Sequence, residues 1–224
     1  HRLEVQPEYA RLILHVGALA YDNRNQGLWI GSNDGIFFYD SRSHKMLMPF
    51  DGCDLVRGCI GSLIDSRGRL WMGCMTGMRV IDLHSRRNGK FVCDSYMYKL
   101  DNPQSQLIDK ITCFCETRDS SIYVGSNGNG IYVLTGENND KMTFKSYTTQ
   151  EGLASYGVKG IVEGTYGRLW IATNNGLSVM NPKDEAFSNY GEVDGLLCSK
   201  FYWNAAVCEG NKIYLGSEMG LTAI

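Results

Sequence analysis

Short runs of alternating hydrophobic and polar residues fill much of the chain, and turn residues separate them. Within residues 158–190, for example, such runs cover Val158 to Glu163, Arg168 to Thr173, Leu177 to Met180 and Ala186 to Tyr190. Alternation with a period of two is typical of half-buried strands. The pieces between the runs contain Gly and Asn, which supply the positive φ that tight hairpin turns require. The pattern therefore predicts four antiparallel strands in this segment.

One of these predicted strands recurs along the chain. Its two clearest copies are residues 27–36, GLWIGSNDGI, and residues 69–78, RLWMGCMTGM, and three further copies follow. Successive copies are 42 to 52 residues apart. A period near 45 residues is typical of β-propellers, in which each repeat is one four-stranded blade. The same position of every copy holds a large aromatic residue: Trp29, Trp71, Tyr123, Trp170 and Tyr214.

The repeats predict an all-β chain, a β-propeller of four-stranded antiparallel blades. The first strand of each repeat is rich in small residues such as Ala18, Cys113 and Gly160, which suits the innermost strand around a central channel. The aromatic of the second strand would fill the space between blades, so the repeats must stack. We expect one propeller domain or fragment over residues 1–224. Its repeats are roughly residues 15–50, 56–98, 109–147, 157–190 and 201–224.

The ends of the repeat array leave two arrangements open. The last repeat stops after its third predicted strand, and residues 2–14 could supply the missing outer strand and remove an exposed edge. Five blades would then close on themselves. Alternatively, these are five blades of a larger ring whose remainder is absent from this chain.

The repeated motif resembles a known family. Residues 167–177, GRLWIATNNGL, and the connector 147–153, YTTQEGL, are similar to the two-component regulator propeller repeats of the periplasmic sensor region of Bacteroides-type hybrid two-component histidine kinases. Ala172 stands where that pattern has Gly, and two repeats have Tyr for Trp. Residues 187–196 resemble the entry to the blade before the family's immunoglobulin-like juxtamembrane module. The resemblance implies a periplasmic sensor region of an inner-membrane protein, with the kinase activity elsewhere in the parent protein.

Charge and hydropathy exclude two classes of partner, nucleic acid and the membrane interior. The chain has 22 Lys and Arg against 24 Asp and Glu, a net charge of −2, so no basic footprint for nucleic acid is present. No run approaches the ~18 apolar residues of a spanning helix, so we expect no membrane insertion of this chain. The resemblance instead implies an oligosaccharide ligand, a neighbouring propeller or immunoglobulin-like module of the parent chain, and a homodimer as a further option.

The eight cysteines include no C-x-x-C pair and no spacing typical of metal ligands. We therefore predict neither a metal nor another cofactor. Cys113 and Cys115 alternate within a predicted strand, which favours small buried packing residues over a disulfide framework.

Catalytic motifs are scarce. The repeat also resembles, more loosely, streptogramin lyase, a propeller that acts by His-centred, metal-assisted elimination. Of the four histidines only His15 precedes an inner strand and could face a channel, whereas His44 and His84 follow third strands in polar stretches. Residues 125–130, GSNGNG, align with the hairpin of the other repeats and precede no helix, so we interpret them as a turn. We predict no catalytic residue; a propeller lyase and a protein-interaction scaffold remain the alternatives.

Binding is the better-supported class of function. Long polar connectors lead from each outer strand to the next inner strand, and such loops of a propeller converge on one rim. Aromatic faces and Lys or Arg donors there suit sugar rings, their hydroxyls and the carboxylates of acidic sugars. The sequence thus predicts a sensor propeller that binds glycan fragments or relays their recognition to a membrane-attached kinase. The candidate ligand-binding residues are Arg57, Lys110, Tyr156, Lys200 and Trp203; Lys159 and Tyr202 lie near the same rim.

Overall fold

The computed structural model describes residues 15–47, 50, 58–97, 109–138 and 141–224. Their regular structure is antiparallel β-strand apart from two single-turn 3-10 helices, Thr165–Gly167 and Glu192–Asp194. Four sheets have four strands each, and a fifth has three, always in sequence order. The predicted all-β fold with propeller blades is confirmed. The chain divides into two compact units, His1–Leu107 and Ile108–Ile224, which are described separately below.

Unit 1 contains two blades. Blade 1 consists of β1 (Ala18–Asp22), β2 (Gly27–Gly31), β3 (Ile36–Asp40) and β4 (Lys45–Leu47). Blade 2 consists of β5 (Gly61–Ile64), β6 (Arg69–Cys74), β7 (Gly77–Arg87) and β8 (Lys90–Met97).

Unit 2 contains the other three blades. Blade 3 consists of β9 (Ile111–Glu116), β10 (Ile122–Ser126), β11 (Ile131–Asn138) and β12 (Lys141–Tyr147). Blade 4 consists of β13 (Val158–Glu163), β14 (Leu169–Thr173), β15 (Gly176–Asn181) and β16 (Ala186–Tyr190). Blade 5 has β17 (Phe201–Glu209), β18 (Lys212–Ser217) and β19 (Gly220–Ala223). The fourth strand predicted from residues 2–14 lies outside the described residues.

The first strands of neighbouring blades contact one another within each unit: β1 with β5, β9 with β13, and β13 with β17. Neighbouring first strands leave little room for side chains between them. A Cβ atom on Gly160 of β13 would lie 2.7 Å from the Cβ of Ala206 in β17. This crowding explains why small residues recur in the first strands.

The five repeated aromatics all lie in second strands: Trp29 in β2, Trp71 in β6, Tyr123 in β10, Trp170 in β14 and Tyr214 in β18. The first two are completely buried, Tyr123 is nearly so, and the other two are partly buried. Each unit builds its own core around such residues, with Trp29, Leu70 and Met72 in unit 1 and Tyr123, Leu169 and Ile171 in unit 2.

The seven described cysteines are free thiols, and most are buried. Burial raises the pKa of Cys113 and of Cys115 to about 12, so both are protonated packing residues at neutral pH. Cys53 lies outside the described residues.

Candidate functional site

A half-exposed tryptophan with two lysines over its ring forms the candidate site in unit 2. The Nζ atom of Lys110 lies 3.6 Å from the centroid of the Trp203 ring, and that of Lys159 lies 4.6 Å from it. Trp203 is 45% exposed. The three side chains come from blades 3, 4 and 5, and we call them the Lys110–Trp203–Lys159 cluster.

A bulge in β17 determines where Trp203 lies. Phe201 and Ala206 are paired with β18, but the five residue steps between them face only two steps on that strand. Asn204 adopts the left-handed conformation, with φ 56°, that Asn tolerates better than most residues. Bulges commonly redirect a side chain away from the regular ladder. Trp203 thus lies within the first strand of blade 5, not in the connector to which the sequence assigned it.

Hydrogen bonds from the β10–β11 turn and the β14–β15 turn, each in the same blade as the lysine concerned, hold the backbone beside Lys110 and Lys159. The backbone N–H of Asn127, in the β10–β11 turn, donates to the carbonyl oxygen of Lys110 at 2.9 Å. In the same way Asn174, in the β14–β15 turn, donates to the carbonyl oxygen of Gly157 at 2.7 Å, two residues before Lys159. Because these bonds fix the backbone just before β9 and just before β13, the backbone that carries both ammonium groups has a defined position.

Partial burial lowers the pKa of both lysines. For Lys110 this desolvation is partly offset by the adjacent Asp109 carboxylate, and for Lys159 the charge of Lys110 lowers the pKa further. Among the described residues neither lysine has a carboxylate at ion-pair distance. The cluster therefore contains positive charge that an anion would stabilise.

The other predicted site residues lie elsewhere on the connectors. Tyr156 is 44% exposed, and its carbonyl oxygen accepts a hydrogen bond of 2.8 Å from Gly130. Lys200 is exposed, and its carbonyl oxygen accepts one of 3.2 Å from Glu218. Within the described part of the chain, no hydrogen bond, ion pair or ring contact joins Tyr156 or Lys200 to Trp203. Arg57 lies outside the described residues.

Sequence reasoning missed two buried aspartates. The indole N–H of Trp29 donates to Oδ2 of Asp22 at 3.1 Å, and that of Trp71 donates to Oδ2 of Asp65 at 2.8 Å. An Asp six or seven residues before a repeated Trp was the available signal. In blade 4 Gly164 has this position, and a Cβ there would lie 2.6 Å from Nε1 of Trp170.

The described histidines lie at the surface. His15 is exposed with φ 57° just before β1, and His44 is exposed in the β3–β4 turn. His84 is exposed within β7, so it lies in the third strand of blade 2 and not after it as the sequence predicted. Among the residues that the structure covers, no three His, Cys, Asp or Glu side chains are grouped so that they could hold a metal ion. No helix in the described ranges has the length and apolar character needed to cross a bilayer.

No family model matches the chain. A curated relative, Histidine kinase P4 from Formosa agariphila, is 27% identical over 161 residues, which are 71% of this chain and 11% of that protein. The chain thus spans about a ninth of this relative's length.

Solved structures share the fold. The extracellular domain of a B. thetaiotaomicron protein described as a hybrid two component system has a TM-score of 0.75 and 21% identity, over 93% of this chain and 27% of that chain. A second B. thetaiotaomicron extracellular domain, described as a one component system, has a TM-score of 0.68 and 20% identity, over 93% and 28%. Virginiamycin B lyase from Staphylococcus aureus, solved with quinupristin, is a weaker match with a TM-score of 0.63 and 14% identity, over 93% and 69%. The predicted resemblance to the extracellular propeller domains of two-component systems is confirmed.

Proposed function

We propose that this chain is the periplasmic sensor region of a hybrid two-component system and that its Lys110–Trp203–Lys159 cluster binds an acidic glycan fragment. Sequence similarity to a histidine kinase and a fold shared with the extracellular domains of two proteins described as two-component and one-component systems support the sensor assignment. The chain itself is non-catalytic in this proposal, and kinase chemistry belongs to other parts of the parent protein. Binding here would be relayed through a neighbouring module or a second copy.

The observation that carries the ligand class is the pair of partly buried lysines on one half-exposed indole ring. An indole face stacks on the C–H face of a sugar ring, and an ammonium group binds a carboxylate by charge-assisted hydrogen bonds. Since desolvation lowers the pKa of both lysines, a carboxylate would restore the stabilisation that each charge loses on burial. A neutral sugar could use only the indole.

Calorimetric titration with size-matched neutral and uronic-acid oligosaccharides tests this proposal. We expect the acidic oligosaccharide to bind at least about tenfold more tightly than the neutral one, and Lys110→Gln to remove that preference. Trp203→Ala should weaken binding of both ligands. Lys183→Gln is the matched control, because it removes the same charge from an exposed residue of the β15–β16 turn that belongs neither to the cluster nor to the candidate ligand-binding residues.

The pH dependence gives a second measurement. An anion binds the charged lysines, and their lowered pKa values mean that this charge is lost at a lower pH than for a free lysine. As the pH is raised, affinity for the acidic ligand should therefore begin to fall at a pH lower than about 10.4, the ordinary pKa of lysine. Titration over a series of pH values measures this loss.

Three outcomes would contradict the proposal. Equal affinity for neutral and acidic oligosaccharides would remove the role of the lysines. Turnover of a streptogramin substrate would favour the lyase alternative. Binding of neither oligosaccharide, together with self-association that Trp203→Ala abolishes, would assign the cluster to a protein interface.

A further inference from the structure

Unit 1 contains a cavity of about 580 Å³ that the proposed function does not use. Its walls are turns at one end of the two blades: Arg24 and Asn25 between β1 and β2, Arg42 between β3 and β4, and Lys90 in the β7–β8 hairpin. In an antiparallel meander these turns lie at the end of the sheet opposite to the connectors between blades. The cavity is thus formed by turns within blades, whereas the candidate residues considered above lie in or beside the connectors between blades.

The cavity is strongly positive. Arg24, Arg42, Arg86 and Lys90 line it, and Asp40 is the acidic residue among its lining residues. Within the described residues, no carboxylate lies at ion-pair distance from any of the three arginines. The Asp40 carboxylate instead accepts the backbone N–H of Arg42 at 2.9 Å and the hydroxyl of Ser43 at 2.8 Å. Cations are thus gathered here in a chain whose net charge is −2.

The position of one guanidinium group is fixed in advance. The Arg86 carbon Cζ lies 3.4 Å from the centroid of the Phe91 ring, and its Nη2 donates to the side-chain oxygen of Asn25 at 2.9 Å. A stacked and hydrogen-bonded guanidinium presents its remaining N–H groups as a planar fork, which matches carboxylate, sulfate or phosphate oxygens. Little side-chain freedom remains to be lost when an anion binds.

The floor of the cavity is apolar. Phe38 and Phe91 are buried there, and Leu47 is partly exposed beside them. A volume of about 580 Å³ lies within the range of ~300–1,000 Å³ that is usual for small-molecule sites. Cations around an apolar floor suit a ligand that has more than one oxyanion group on a compact carbon frame.

We propose that this cavity binds a small organic anion with at least two oxyanion groups, with Arg86 as the oriented donor and Arg24, Arg42 and Lys90 as its charged surroundings. The site is independent of the Lys110–Trp203–Lys159 cluster and of the glycan proposal.

Titration of the full chain with citrate, inorganic sulfate and acetate tests the proposal. We expect citrate to bind at least tenfold more tightly than acetate, with sulfate between them. Arg86→Gln should weaken citrate binding at least tenfold. The citrate affinity of Arg86→Lys should lie between those of the unchanged chain and Arg86→Gln, because lysine keeps the charge but lacks the planar fork. Arg87→Gln is the matched control, since Arg87 is the next residue of the same strand, is exposed and does not line the cavity.

The controls decide among the outcomes. Equal loss of citrate affinity in Arg86→Gln and Arg87→Gln would show general charge attraction and overturn the proposal, as would the absence of binding by all three anions. Loss of citrate binding in Lys110→Gln, with Arg86→Gln unaffected, would place the anion in unit 2 and also overturn it. Thermal unfolding of each variant shows that a lost affinity is not lost folding.

Discussion

At the scale of single residues, Asp65 stabilises blade 2 by joining its first turn to its central tryptophan. The carboxylate is buried and accepts the backbone N–H groups of Arg67 and Arg69 at 3.1 and 2.8 Å. It also accepts hydrogen bonds from the Nε–H group of Arg69 at 2.7 Å and from the indole N–H of Trp71 at 2.8 Å. A buried carboxylate with this many donors is fully hydrogen-bonded, and its removal leaves each donor without an acceptor.

We therefore expect Asp65→Ala to lower the free energy of unfolding by about 3 kcal/mol, because it leaves a buried indole N–H and a guanidinium N–H unsatisfied. Chemical denaturation measures this loss. Asp184→Ala is the control, since Asp184 is exposed and its change should stay within about 0.5 kcal/mol. Equal losses in the two variants would contradict the role of Asp65.

Two buried tyrosines in blade 3 make stability sensitive to alkaline pH. Burial raises the pKa of Tyr123 and of Tyr132 to about 12, compared with 10.0 for an ordinary tyrosine. A group whose pKa is higher in the folded state contributes stability below its unfolded pKa and loses it as the pH rises through the folded value. The free energy of unfolding should fall between about pH 10 and pH 12, by at most about 2–3 kcal/mol per tyrosine.

Unfolding of Tyr123→Phe at about pH 8 and about pH 11.5 isolates this effect, because phenylalanine does not ionise. We expect a smaller difference between the two pH values than in the unchanged chain. Tyr166→Phe, at a residue that is 90% exposed, should keep the full difference. An unchanged alkaline loss in Tyr123→Phe would show that other groups cause it.

At the scale of the elements, the contact between neighbouring first strands limits the size of the side chains that these strands can hold. Gly160→Ala would bring a Cβ atom to 2.7 Å from that of Ala206, so we expect a loss of about 1–3 kcal/mol in chemical denaturation. Adding Ala206→Gly should recover part of that loss, because it removes the facing atom. Gly191→Ala serves as a control, since the nearest atom would be 3.9 Å away. Additive losses in the double variant would contradict a direct contact between β13 and β17.

Strand positions followed closely from the sequence, whereas the geometry of the site did not. Alternation predicted strands over Val158–Glu163 and Ala186–Tyr190, and β13 and β16 have those bounds. Alternation contains no information on register, so the bulge that exposes Trp203 was not predicted. Lys110 and Trp203 were both candidates, but their contact depends on how β9 and β17 approach one another. That approach is decided by packing between strands about 90 residues apart in the sequence.

At the scale of the whole molecule, a uniform repeat supports sites that differ from blade to blade. The same second-strand aromatics and small first-strand residues recur along the chain, while the charged residues of the two proposed sites do not. Because each blade packs through its strands, turns and bulges can change without loss of the core. Repetition was therefore visible in the sequence, and the individual sites needed coordinates.

The exposure of Trp203 has a consequence for the tryptophan fluorescence of the chain. The chain has four tryptophans, of which Trp29 and Trp71 are fully buried, Trp170 is partly buried and Trp203 is nearly half exposed. A dissolved quencher should reach chiefly Trp203, and iodide should quench it more than caesium because Lys110 and Lys159 attract an anion. Trp203→Phe should remove most of the quenchable emission. A ratio of iodide to caesium quenching no higher than that of free tryptophan would contradict the positive surroundings. The molecule thus contains its own optical reporter of whether this ring is covered.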